Sequence, residues 1–172
     1  MTPAGIPVTD RSLCARCGLC AQKCPGEARR LVGKTVTADE VLREAEADAV
    51  FYRRGGGGVT LSGGEPLMQP DFSAAVLELC KGSGIHTAVE TCGYADEGAL
   101  EAVAGRADLI LYDLKHMDPE VHRRATGVGN ERILENARRI SAMGKPMVMR
   151  FPLVPGVNDS PDLDHIRDTW RA

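Results

Sequence analysis

Aromatic residues are scarce in this chain. One Trp, three Tyr and three Phe make up 4% of 172 residues, too few for the stacking platform on which single-stranded nucleic acids are held. An excess of basic charge is also missing. The 21 Lys and Arg are outnumbered by 24 Asp and Glu, for a net charge of −3, which argues against the electropositive footprint of a nucleic-acid binder. No apolar run approaches the roughly 20 residues that span a bilayer, so no membrane partner is expected. The start, MTPAGIPVTDRSLC, lacks the basic segment and apolar core of a secretory signal. Six cysteines without an export signal point to a reducing, cytoplasmic setting, where clustered cysteines more often bind metal than pair with each other.

What remains is 43% hydrophobic and 26% charged, a balance that favours a folded globule over disorder. The length suits one domain with a small appended module, able to bury roughly 70% of its unfolded surface.

Four cysteines lie in CARCGLCAQKCPGEA. Cys14, Cys17, Cys20 and Cys24 follow C-x2-C-x2-C-x3-C, with Pro25 next. This is the ferredoxin spacing for a [4Fe-4S] cluster. Two-residue gaps let three thiolates converge on one cluster, and the amides between them can donate to its sulfurs. Zinc or unmodified thiols are the other readings. In two-cluster ferredoxins the fourth cysteine of such a run ligates the other cluster. By that rule Cys14, Cys17 and Cys20 require a ligand from elsewhere, and Cys24 serves a different cluster. Cys80 sits mid-helix on an apolar face and reads as core. Cys92 falls at a strand end and reads as lining a pocket.

Beyond the cysteines, strands and helices alternate. The stretch TADEVLREAEADAVFYRR predicts one helix opened by a Thr37–Glu40 capping box, with Val41, Leu42, Ala45, Ala49 and Val50 facing a core. Strands are expected at 58–61, 85–91, 108–115 and 146–153. Helices are expected at about 70–81, 96–104, from Asp118-Pro119, at 130–143, and from Ser160-Pro161. The third strand reads as buried, with a polar end. Alternation implies parallel pairing and right-handed crossovers, with functional residues at the C-terminal strand ends. A cysteine-rich lobe over 1–36 joined to four β/α units over 37–172 is the simplest layout.

GVTLSGGEP occupies the first strand end. Gly58 and Gly63 have phosphate-loop spacing, but Gly64 and Glu65 stand where Lys and Ser or Thr would be. Glu65 suits an ammonium group rather than a phosphate. An ordinary strand–helix turn is the plainer reading of this piece alone. At the other strand ends lie Glu90, Thr91, Asp113, Lys115 and Arg150. Lys115 and Arg150 could hold a carboxylate while Glu65 holds an amine, which together suit an amino-acid-like zwitterion.

Taken together, CARCGLCAQKCP, GGGGVTLSGGEPLMQ, ETCGYA, LYDLKHMD and RFPLVPGVND make the sequence similar to the glycyl radical enzyme activating enzymes. These are a branch of the radical S-adenosylmethionine superfamily that includes the pyruvate formate-lyase activating enzyme. The resemblance covers nearly the whole chain. It implies an α/β fold, a partial (β/α)6 TIM-like barrel of about four units, with an N-terminal ferredoxin-like [4Fe-4S] lobe that relays electrons. It implies that Gly63, Gly64, Glu65 and Pro66 bind the methionyl amine of S-adenosyl-L-methionine. Thr91, Asp113, Lys115 and Arg150 would surround the cofactor, and Glu90 with Asp113 could form a cation site beside its carboxylate. It also implies a reaction: a reduced cluster cleaves the cofactor, and the resulting radical takes a hydrogen from a glycine of a partner glycyl radical enzyme. An electron donor such as flavodoxin or ferredoxin would supply the reductant.

One departure stands out. The C-x3-C-x2-C triplet that holds the family's radical-generating cluster is absent: after Cys20 and Cys24 the third position is Glu27. The first ferredoxin run is absent too, so the resemblance implies a middle section, without its own catalytic cysteines. Two rivals follow. A non-catalytic iron–sulfur electron carrier needs only the cysteine lobe. An inactive fragment would expose strand edges and be poorly soluble.

Overall fold

A computed structural model describes residues 8–156, 158 and 159. The chain divides into two compact units, Met1–Thr35 and Val36–Ala172.

In the first unit the ordered element is a single helical turn, α1 (Leu19–Gln22), entered through Gly18 at φ 77°. That left-handed conformation is cheap only for glycine. Nothing between residues 8 and 35 is buried; every side chain there is exposed or half-buried. The folded state of this unit therefore has no apolar core of its own. Chains this short depend on a metal, a disulfide or a partner for stability.

The second unit opens with α2 (Ala38–Ala47). Its capping box is formed: the Glu40 amide donates to Thr37 Oγ1 at 3.2 Å, and the Thr37 amide donates to Glu40 Oε2 at 2.7 Å. Such a cap contributes about 1 kcal/mol. The single helix expected over 37–54 is two. Asp48, a weak helix former, ends α2 and begins α3 (Ala49–Gly55). Ala45 is buried as expected, but Val50 is 48% exposed, and Tyr52 packs toward the core instead.

The remaining elements alternate: β1 (Gly58–Leu61), a 3-10 turn (Pro66–Met68), α4 (Pro70–Gly82), β2 (His86–Thr91), α5 (Glu97–Ala104), β3 (Leu109–Asp113), α6 (Pro119–Thr126), α7 (Glu131–Ala142) and β4 (Met147–Arg150). Asp96 caps α5 and Asp118 caps α6, each through its carboxylate on first-turn amides, with Pro119 preset for the first turn of α6. The helix expected from Ser160 lies outside the described residues. The four strands form one parallel sheet in the order β1-β2-β3-β4. This is the α/β arrangement of a partial (β/α) barrel.

The two faces of the sheet differ. Side-chain alternation together with the register puts Val59, Thr87, Val89, Ile110, Tyr112, Met147 and Met149 on one face. Val89, Ile110 and Tyr112 there join Leu77, Leu100, Val103, Ile133 and Ile140 from the helices in the main core. Cys80 is fully buried in a second cluster with Val76, Ile85 and Ala45, so the core reading of Cys80 holds. The opposite face carries Thr60, Glu90, Leu111, Asp113, Val148 and Arg150, and it is more open: Val148 is 48% exposed. The third strand, expected to be buried with a polar end, is buried on one face, with Leu109 and Leu111 on the other only half-buried. That one-sidedness gives the charged strand ends an accessible surface.

Candidate functional site

The site is built at the C-terminal ends of the strands. After β1 the chain turns through Gly63 at φ 103°, a conformation that requires glycine. Gly64 differs: its φ is ordinary, and a Cβ placed there would meet nothing within 4 Å. Neither backbone strain nor packing within the chain accounts for a glycine at position 64. A ligand approaching the backbone would.

Glu65 then turns inward. Its Oε1 accepts from the Leu67 amide at 3.1 Å and from Thr91 Oγ1 at 2.7 Å, and its Oε2 accepts from the Cys92 amide at 3.0 Å. An ionised carboxylate offers about four acceptor sites, so three bonds fix the group and leave room for one more donor. Pro66 is buried and starts the 3-10 turn beneath it. Thr91, 4% exposed, also accepts from the Gly93 amide at 2.9 Å. Any Cβ on Gly93 would collide with the Tyr112 hydroxyl.

A second network occupies the open face. Arg150 Nε donates to Asp113 Oδ1 at 2.7 Å, and Arg150 Nη2 pairs with Glu90. Ser62 Oγ donates to Glu90 Oε2 at 3.0 Å, and Lys115 Nζ donates to Asp113 Oδ2 at 3.0 Å. The titration behaviour follows from these contacts. The hydrogen bond from Arg150, with that from Ser62, holds the Glu90 carboxyl below its usual range. Burial pushes Asp113 up, but the hydrogen bonds from Arg150 and Lys115 outweigh it and leave its carboxyl low. Asp113 and Glu90 in turn raise the Arg150 guanidinium. Glu90 and Asp113 are thus anionic and Arg150 cationic at neutral pH.

The structure therefore brings Glu90, Asp113, Lys115 and Arg150 into one bonded network, and Glu65 and Thr91 into another. Glu90 and Thr91, adjacent in β2, face opposite ways. Cys92 contributes its backbone amide, and burial raises its thiol pKa. Sequence reasoning missed Ser62, which stands beside the glycine-rich turn and was the easiest to find. It also missed Asn130, Asn136 and Asn158, each of which reaches at least one backbone carbonyl distant in sequence.

In the first unit, Cys14, Cys17 and Cys20 line one open cavity of about 930 Å³. Arg11, Arg16, Arg29 and Arg30 line it as well, and Cys24 does not. Cys24 sits instead where the Arg29 amide, with those of Ala28 and Gly26, lowers its thiol pKa, which suits a thiolate. Among the described residues no three His, Cys, Asp or Glu side chains gather as ligands of a single metal ion. The three cysteines around a roomy cavity, in a unit with no apolar core, are chemically suited to a larger sulfur-ligated group.

Comparison with known proteins decides the family. Residues 15–169 match the Radical SAM superfamily. The chain belongs to that superfamily. The chain is similar to glycyl radical enzyme activating enzymes within it. It is 49% identical over 154 residues to the isethionate sulfite-lyase activating enzyme of Oleidesulfovibrio alaskensis, covering 88% of this chain and 50% of that protein. It is 39% identical to the (2S)-3-sulfopropanediol dehydratase activating enzyme of Klebsiella oxytoca, over 93% of this chain and 50% of that one. A crystal structure of a domain of pyruvate-formate lyase-activating enzyme from Bacteroides vulgatus superposes with a TM-score of 0.61 at 41% identity, covering 65% of this chain and 70% of that domain. The chain spans about half the length of the curated relatives it matches. The superfamily and these relatives use a [4Fe-4S] cluster and S-adenosylmethionine, the two cofactors expected from the sequence. No helix among the described residues is long and apolar enough to cross a membrane.

Proposed function

We propose that this chain carries the S-adenosylmethionine-binding rim and an auxiliary iron–sulfur lobe of a cytoplasmic glycyl radical enzyme activating enzyme. Glu65, Lys115 and Arg150 would hold S-adenosylmethionine, which at a reduced cluster would supply one-electron chemistry for removing a glycine hydrogen from a partner enzyme. The observation that carries the reading is the glycine-rich turn. The Glu65 carboxylate is fixed by three donors with one acceptor site left, beside a Gly64 that the chain itself does not require. An ammonium fits that remaining site. Gly63 and Gly64 let the ligand approach the chain's backbone, and Pro66 anchors the turn.

The open face serves the other end of the ligand. Lys115 and Arg150 are the cations available to a carboxylate, held in place by Asp113 and Glu90. Asp113 and Glu90 orient those cations and are themselves the anions that a metal cation beside the ligand would use. Because the network is preformed, binding adds a carboxylate to cations already fixed, which lowers the ordering cost.

Cys14, Cys17 and Cys20 would hold the lobe's cluster, and Cys24 would serve a different one. The lobe is also basic. Arg11, Arg16, Lys23, Arg29, Arg30 and Lys34 outnumber Asp10 and Glu27 within residues 8–35, in a chain whose net charge is −3. That local excess favours an acidic electron donor of the flavodoxin or ferredoxin type. The chain carries no C-x3-C-x2-C triplet, so the reading assigns it ligand binding and electron relay and places none of the radical-generating cysteines in it.

The deciding experiment is calorimetric titration of S-adenosylmethionine into the chain and into Glu65→Gln. Saturable binding to the parent and weaker binding to the variant support the rim. If the lobe alone were functional, as in an electron carrier, S-adenosylmethionine would give no heat.

A further inference from the structure

Three buried asparagines share one pattern. Asn136, 4% exposed on α7, donates its side-chain amide to Gly93 O at 2.8 Å and Ala95 O at 3.0 Å. Asn130, 1% exposed, donates to His116 O at 2.8 Å and Met117 O at 2.6 Å. Asn158, 3% exposed, donates to Lys115 O at 3.1 Å and Pro152 O at 2.9 Å, and accepts from the Val154 amide at 2.6 Å. Each amide ties together carbonyls of a segment that leaves the C-terminal end of a strand: β2 for Asn136, β3 for Asn130, and both β3 and β4 for Asn158. Carbonyls only accept, so the NH2 side of each amide must face them.

Such segments are the hardest part of a parallel sheet to fix. They leave the ladder, yet they carry the residues that meet a ligand. A buried side-chain amide serves where the ladder no longer can, satisfying two carbonyls at once.

We infer that Asn136 and Asn158 are positioning residues for the rim, each setting a different ligand-facing group. Asn136 acts on Glu65. It holds the Gly93–Ala95 turn, whose preceding Cys92 amide and Thr91 hydroxyl are two of the three donors on the Glu65 carboxylate. Asn158 acts on Lys115 by holding the backbone from which that side chain springs. Asn130 holds the next turn of the same segment. The inference rests on the reading of the rim as an S-adenosylmethionine site.

The division of labour makes a specific forecast for double-mutant cycles, with S-adenosylmethionine affinity as the readout. Asn136→Ala should weaken binding about tenfold, the size of a lost hydrogen bond plus an unpaired buried carbonyl. In combination with Glu65→Gln it should add little, because the group it positions is already altered. Paired with Lys115→Met, the Asn136→Ala effect should multiply in full. Asn158→Ala should show the reverse pattern, coupled to Lys115→Met and independent of Glu65→Gln. A purely structural role would lower stability without this selectivity. If an alanine variant does not fold, the isosteric Asn136→Asp and Asn158→Asp preserve volume while turning an acceptor toward the carbonyls. The same coupling pattern is expected from them.

Full multiplicativity in every pair, or unchanged affinity in the asparagine variants while Glu65→Gln and Lys115→Met bind weakly, would overturn the assignment and leave the rim intact. Unchanged affinity in Glu65→Gln and Lys115→Met would overturn the rim reading, and the asparagine assignment with it.

Discussion

Asp113 and Arg150 are register partners on adjacent parallel strands, and the Arg150 guanidinium donates to the Asp113 carboxylate at 2.7 Å. The pairing is set by the sheet itself. The observed register puts the apolar faces of β3 and β4 together and aligns these two charges at their C-terminal ends; a two-residue slip would keep the faces and separate the charges. Glu90, on the same face one strand further, completes a bridge across three strands.

The first prediction concerns acid. Glu90 and Asp113 both have depressed carboxyl pKa values. A depressed group contributes stability that is present above its unfolded value and is lost as pH falls through its folded value. Wild type should therefore melt above Arg150→Gln from neutral pH down to about pH 5, and the gap should close below about pH 4. A gap that widens on acidification would contradict the network.

Two glycines in this region should behave in opposite ways. Gly93→Ala puts a methyl against the Tyr112 hydroxyl at φ 70° and should destabilise the fold by about 2–5 kcal/mol. Gly64→Ala meets nothing within 4 Å. It should melt like wild type while losing about tenfold or more in S-adenosylmethionine affinity, as expected where a methyl blocks a close approach. Thermal melts and calorimetry on the two variants test both halves.

Thr91 serves both folding and the site. Its hydroxyl donates to Glu65 and accepts from the Gly93 amide inside the core. Thr91→Val keeps the shape and removes both bonds. It should cost about 1–3 kcal/mol in urea unfolding, and Thr91→Ser should recover most of that.

Much of this was legible in the sequence, for physical reasons. Capping signals are local, so Thr37 and Asp118 mark helix starts that the structure realises. Apolar alternation and glycine boundaries located the strands, and strand ends located Glu65, Glu90, Thr91, Asp113, Lys115 and Arg150. The break at Asp48 was hidden because a weak helix former amid good ones does not reveal whether tertiary packing will override it. The open face of β3 was hidden because Leu109, Ile110, Leu111 and Tyr112 form a continuous apolar run that reads simply as buried. Asn130, Asn136 and Asn158 were hidden because a helix or loop asparagine looks the same whether it meets water or a carbonyl 14 to 43 residues away.

The cysteine lobe yields a further prediction. With no buried residue between 8 and 35, its order should depend on the cluster. Iron–sulfur reconstitution should protect this region from proteolysis, and chelation should expose it while residues 36–150 remain resistant. Cys17→Ser should abolish the protection. Cys24→Ser, altering a residue outside the shared cavity, should leave it largely in place. Reduction of the cluster by an acidic flavodoxin should slow steeply with added salt, whereas reduction by dithionite should not.

The central claim is that the strand-end rim binds S-adenosylmethionine through its amino and carboxylate groups. It is tested most directly by titrating the chain with S-adenosylmethionine, and then with the analogue that lacks the amino group, against wild type and Glu65→Gln. The account predicts a saturable site in wild type that discriminates strongly between the two ligands, and a Glu65→Gln variant that has lost most of that discrimination. Equal affinity for both ligands in wild type, or undiminished discrimination in Glu65→Gln, would contradict it.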